Sequence, residues 1–140
     1  MFVVIDTNII VSALLSSKND SATVQVMEKV FRQEIKPVYS KEIFAEYTNV
    51  LNRPKFHFSK ELVEYMLSAI KQFGILKEPK EPKEPVMVVL PDMKDVPFYR
   101  LVLESEDTYL VTGNIKHFPQ ESRIMTARQL IDILNCTDKK

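Results

Sequence analysis

The sequence predicts an α/β protein, a three-layer α/β/α sandwich whose central parallel β-sheet is covered by helices on both faces. Three observations predict it. Short runs rich in β-branched residues, beginning with FVVI over Phe2–Ile5, read as strands buried on both faces. These runs alternate with stretches in which apolar residues recur every three or four positions, which implies right-handed crossovers between parallel strands. Short oxygen-bearing side chains follow several of the runs, at the strand ends where open α/β sheets place their ligands.

The first run ends at a carboxylate, Asp6, followed by Thr7 and Asn8, and residues 9–15 read as a helix. Asp6 has two readings at this point. It caps the following helix, a role open to Asn8 as well, or it forms one wall of a ligand site. Asn19, Asp20 and Ser21 make a polar break before a helix over residues 22–33, with Val24, Met27 and Val30 on one stripe. Residues 35–39 form the second strand. Ser40 caps a helix over Lys41–Leu51, in which Ile43, Phe44, Tyr47, Val50 and Leu51 recur at helical spacing, and Pro54 marks its end. Ser59 opens the next helix, with Leu62, Val63, Met66, Leu67 and Ile70 facing the core, and Gly74 closes it.

Residues 77–85 spell KEP three times, which proline excludes from any helix interior; the segment is either a solvated connection or a docking element. Residues 86–90 are a further strand, 91–96 a polar turn and 98–105 a helix. Residues 108–112 form a strand ending at Gly113, and a last short strand over 123–126 leads into a terminal helix over 127–135.

A chain of 140 residues is expected to form one domain spanning 1–140. The apolar amino terminus lacks a basic leader, holds Asp6 and Asn8 in its middle and is too short to span a bilayer, so a soluble cytoplasmic protein without membrane association is expected. A single cysteine, Cys136, excludes an internal disulfide and a cysteine metal cluster. Nineteen acidic residues balance nineteen basic ones, which argues against a protein that coats duplexes. That balance still allows an enzyme that grips a phosphodiester through metal ions, with a local basic rim for steering.

The acids fall where one sheet edge gathers them. Asp6 ends the first strand, Asp92 and Asp95 follow the strand over 86–90, and Asn114 follows the strand over 108–112. Glu46 lies on or beside the apolar face of its helix, an unusual place for an acid. Two unit charges ~4 Å apart repel by roughly 4 kcal/mol at an effective dielectric near ~20, so gathered carboxylates call for a cation or for protons. A set of Asp, Glu and Asn oxygens suits Mg²⁺ or Mn²⁺ rather than zinc. Such an ion polarises a phosphoryl oxygen and lowers the pKa of bound water, which is the chemistry of phosphodiester hydrolysis.

Four motifs, VVIDTNIIVSALL from Val3, SKEIFAEYTNVLNRPKF from Ser40, DMKDVPF from Asp92 and YLVTGNIKHFP from Tyr109, together resemble the PIN domain family. The likeness covers nearly the whole chain in the expected order, and is nearest to the bacterial and archaeal group described as toxin components of toxin-antitoxin systems. The resemblance implies a metal-dependent ribonuclease that uses Mg²⁺ or Mn²⁺. Carried over by motif, it implies Asp6, Glu46 and Asp95 as catalytic acids, Asp6 and Asp95 as metal ligands, and Asp92 as an accessory acid. Thr112 would support the site with Asn8, and Asn114 stands at a fourth position that is acidic in many relatives. One metal site built on Asp6 and Asp95, with a second weakened by Asn114, is the expectation. The implied partners are an RNA substrate, a cognate antitoxin protein and a second copy in a homodimer.

Arg53, Lys55 and Lys116 are candidates for touching the RNA backbone, since cations near a metal site position phosphates without reading sequence. His57 and His117 read as solvated or hydrogen-bonded loop groups, because metal-bound water needs no histidine base. Two other functions compete. One is a PIN domain that binds RNA or protein without cutting, its chemistry lost with the fourth acid. The other is a phosphotransferase with Asp6 as nucleophile, which would need an aspartate where the chain has Asn8.

Overall fold

The structure is a computed structural model that describes residues 1–18, 20–80 and 90–138, the side chains of residues 137 and 138 excepted. Its strands are β1 (Phe2–Ile5), β2 (Lys36–Tyr39), β3 (Ile75–Leu76), β4 (Thr108–Val111) and β5 (Ile124–Met125), all paired in parallel in the order β3-β2-β1-β4-β5. Six α-helices accompany them among the described residues: α1 (Thr7–Leu15), α2 (Ala22–Phe31), α3 (Lys41–Leu51), α4 (Lys60–Phe73), α5 (Val96–Leu103) and α6 (Ala127–Asp138). The arrangement is the expected α/β/α fold. β1 lies at the middle of the sheet, and Val3, Val4 and Ile5 are almost wholly buried because both its faces are covered. No helix among the described residues is long and apolar enough to cross a membrane.

Several boundaries differ from the sequence reading, each for a local reason. α1 begins at Thr7 because Asp6, in extended conformation, caps it and accepts from the Asn8 amide at 3.4 Å. α2 stops at Phe31, short of Gln33, whose φ of 62° is left-handed and cannot continue a helix. α5 starts at Val96 because Pro97 fits a helix's first turn, where its missing amide is no loss. α6 continues past Asn135 to Asp138, and β5 keeps only the two central residues of its predicted span.

The sequence reading missed edge strand β3. Its two residues, Ile75 and Leu76, carry no alternation of their own, and pairing against Val38 and Tyr39 is what makes them a strand. Gly74 makes the approach feasible: a Cβ there would lie 2.4 Å from the Ile70 carbonyl oxygen and 2.6 Å from that of Pro37. The strand expected over 86–90 and the greater part of the KEP segment fall on residues 81–89, outside the described residues, as does Asn19.

The amino end of β4 is tied by one side chain. Nη1 of Arg123 donates to the carbonyls of Val102 at 3.0 Å, Thr108 at 3.4 Å and Ser105, while its Nε donates to Glu121 at 2.6 Å. One guanidinium thus joins the end of α5, the turn after it and the start of β4, using the planar fork that suits arginine to several acceptors at once.

Candidate metal centre

The strand order reverses at β1, and the carboxyl ends of β1 and β4 lie side by side in register, Ile5 opposite Val111. The next residue on each strand is therefore a neighbour of the other. Asp6 donates its amide to the Val111 carbonyl at 3.0 Å, and the Thr112 hydroxyl donates to Asp6 Oδ2 at 2.6 Å. The Asn114 amide donates in turn to that hydroxyl at 3.0 Å, which fixes its proton toward Asp6. Asn8, at the start of α1, accepts from the Gly113 amide at 3.3 Å and holds the turn after β4 against α1. Asp6 is both a helix cap and the centre of this network, so its two sequence readings hold together.

Helix α3 brings Glu46 in from the side. The Thr7 hydroxyl donates to Glu46 Oε2, and the hydroxyl of the adjacent, fully buried Tyr47 donates to the Ile5 carbonyl. Two consecutive residues of α3 are thereby tied to the residues on either side of Asp6. The third acid arrives from the 3₁₀ turn Met93–Asp95 ahead of α5, a turn capped by Asp92, which accepts from the Lys94 amide at 3.0 Å. Asp95 is buried, Asp92 exposed and Glu46 half-buried.

The electrostatics are those of crowded carboxylates. Burial raises the Asp6 pKa above its usual value, the hydrogen bonds from Thr112 and Asn8 oppose the rise, and the Asp95 charge adds to it. Glu46 is raised by burial and by the charges of Asp6 and Asp95, against the Thr7 hydrogen bond and the charge of Lys94. Asp95 is raised by burial and by Asp92, with His117 acting the other way. Burial lifts the Tyr47 phenol well above its normal range, so it stays a neutral donor. Asp6 therefore senses the charge of Asp95, and Glu46 that of both, although the three come from separate elements.

His117 is hydrogen-bonded, one of the two states read for it, and its partner is an acid of the site. Read as a loop group, it lies in the 3₁₀ turn Ile115–His117, which folds back so that its Nδ1 is 3.1 Å from Asp95 Oδ2. Asp92, Asp95 and His117 each offer a ligand atom within 4.8 Å of the others. The donor set is thus not all oxygen, as composition suggested. A six-coordinate ion with ligands at about 2.1 Å places adjacent donors roughly 3 Å apart, and the His117–Asp95 separation of 3.1 Å is close to that spacing.

Arg53 and Lys55 lie past the end of α3, about two turns beyond Glu46, and Lys55 Nζ sits 5.0 Å from the centroid of Phe56, which stacks on Phe58. Among the described residues, no hydrogen bond or ion pair joins them to Asp6, Glu46 or Asp95. Lys116 is exposed in the same turn as His117. Sequence reasoning missed two nearer cations, Lys94 and Arg100, which with Glu42, Glu46 and Phe98 line a groove of about 470 Å³ beside the acids. The KD pair at Lys94 and Asp95 was the available signal.

A family model described as a PIN domain matches residues 2–116 of the chain. Comparison with curated proteins and with solved structures returns no match.

Proposed function

The chain belongs to the PIN domain family, whose nucleases typically use divalent metal ions, and from that premise we propose that it is a Mg²⁺- or Mn²⁺-dependent endoribonuclease. The observation that carries the reading is the gathering of Asp6, Glu46 and Asp95 from the end of β1, α3 and the turn before α5, each with its proton affinity raised by burial and by a neighbouring acid. Asp6, Asp95 and Asp92 would hold the metal, which would supply Lewis-acid polarisation of the phosphodiester and a water of lowered pKa.

The rest is done by the chain's own residues. Thr112, held by the Asn114 amide, keeps Asp6 Oδ2 oriented, and Asn8 fixes the turn after β4. Glu46, held by Thr7, accepts a proton from the attacking water, a task eased by its raised proton affinity. Arg53, Lys55 and Lys116 contact the RNA backbone as positioning cations. The protein acts in the cytoplasm, as a homodimer and as the toxin of a toxin-antitoxin pair. Its antitoxin would inhibit by laying a basic side chain or a helix into the acidic groove.

Asn114 favours a second reading, in which the domain binds RNA without cutting it, because one charge is missing at the fourth position. Incubation of the purified protein with a mixed RNA pool separates the two. Cleavage that needs Mg²⁺ or Mn²⁺ and is abolished by EDTA and by Asp6→Asn supports the enzyme; cleavage that survives both overturns it. Retention of RNA without any turnover supports the binding module.

A further inference from the structure

One nitrogen stands among the carboxylate oxygens of this centre, and the fold aims it there. His117 ends a 3₁₀ turn closed by its own amide to the Asn114 carbonyl at 2.9 Å, and the next residue, Phe118, is buried edge-on to Tyr99. That anchor limits where the imidazole points. Asp95 is fixed independently, through its amide to the Asp92 carbonyl at 3.1 Å. Two donors held by separate elements thus face each other at 3.1 Å, the separation of neighbouring ligands around one six-coordinate ion, and Asp92 adds a third within 4.8 Å.

We propose that His117 is an imidazole ligand of the centre, alongside Asp92 and Asp95, and that it makes the centre select first-row transition ions such as Mn²⁺ over Mg²⁺. The inference rests on the metal-centre reading above and adds the identity of the ion. Imidazole nitrogen binds transition ions in preference to Mg²⁺, which favours carboxylate and water oxygen and gives up its water reluctantly. An all-carboxylate centre discriminates less between them. Position 117 therefore decides which ion the site takes, while Asp6 and Asp95 decide whether it takes one at all.

The test uses the full untagged chain loaded with Mn²⁺. Pulsed electron paramagnetic resonance is expected to show ¹⁴N coupling to Mn²⁺ that disappears in His117→Gln and persists in His57→Gln, these being the chain's two histidines. Calorimetry is expected to show the Mn²⁺-over-Mg²⁺ affinity ratio falling about tenfold or more in His117→Gln, mostly through weaker Mn²⁺ binding. Mn²⁺ binding that depends on Asp95, with no ¹⁴N coupling and an unchanged ratio, would overturn the inference and leave the metal centre standing, His117 then serving only as a hydrogen-bond partner of Asp95. Absence of Mn²⁺ binding to the wild type would remove both. The wild-type ¹⁴N signal decides the matter even if His117→Gln fails to fold.

Discussion

The two ends of β4 handle buried charge in opposite ways. At the amino end a single cation, Arg123, is surrounded by three carbonyls and Glu121. At the carboxyl end Asp6, Glu46 and Asp95 crowd together, and hydroxyls, His117 and the charge of Lys94 offset only part of what burial and mutual repulsion impose. A charge that serves only the fold is neutralised where it sits. A cluster left short of positive charge weakens the fold unless something from outside completes it, and that shortfall is what makes these acids a candidate site.

The contrast breaks first at Arg123. Arg123→Ala should lower stability by roughly 3 kcal/mol, on the order of 10 °C in thermal midpoint, because the carbonyls of Val102, Ser105 and Thr108 lose a shared donor. Thermal denaturation followed by circular dichroism measures it, and a shift under about 2 °C would mean that the amino end is not held by this side chain.

Tyr47→Phe comes next. It leaves the buried Ile5 carbonyl without its donor, a loss of about 1–2 kcal/mol. Because Tyr47 also ties α3 to β1 beside Glu46, Mn²⁺ affinity measured by calorimetry should fall with it; unchanged affinity would separate the packing of α3 from the site.

Asp6→Asn should move stability the other way. Asparagine caps α1 as well as aspartate does, and it removes a buried negative charge from beside Asp95. The metal-free midpoint should rise by ~3 °C, about 1 kcal/mol in a domain of this size, whereas most buried substitutions destabilise. The same variant should lose the rise that saturating Mn²⁺ gives the wild type. A metal-free midpoint that drops instead would mean that the acids are not in net repulsion.

The smallest effect is the pH dependence. Asp6, Glu46 and Asp95 bind protons more tightly in the folded chain than at their ordinary values of 3.8, 4.5 and 3.8. Their contribution to stability is therefore greatest below those values and is lost as pH rises through the raised folded ones. As pH rises from acid to neutral, the metal-free wild type should lose thermal stability relative to an Asp6→Asn, Glu46→Gln double variant, as followed by circular dichroism, and saturating Mn²⁺ should reduce the difference.

The strands most legible in the sequence were those whose burial is complete. β1 and β4 announce themselves because a strand covered on both faces must be apolar throughout, and the acids at their ends stood out against that background. β3 was illegible because two exposed residues have no period, and only the close passage at Gly74 brings them to β2. Asp6 and Glu46 drew attention because an acid among apolar residues needs a reason, and Asp95 because it follows a predicted strand. His117 was set aside because a loop histidine carries no pattern of its own, and its proximity to Asp95 depends on a turn that Phe118 anchors from the core. Lys94 and Arg100 were missed for a related reason: only the placement of α5 against α3 brings them to the groove.

The bond between Thr112 and Asp6 spans 106 positions of chain, and that between Thr7 and Glu46 spans 39. Pairings so far apart form late, since long loops must close before the contact repays them. At about 5–20 residues per second, a ribosome needs several seconds or more to move from β1 to β4. Throughout that interval Asp6 lacks the Thr112 hydroxyl that orients it. The site is thus completed late by topology alone: Asp6 meets that hydroxyl only after β4 has left the ribosome.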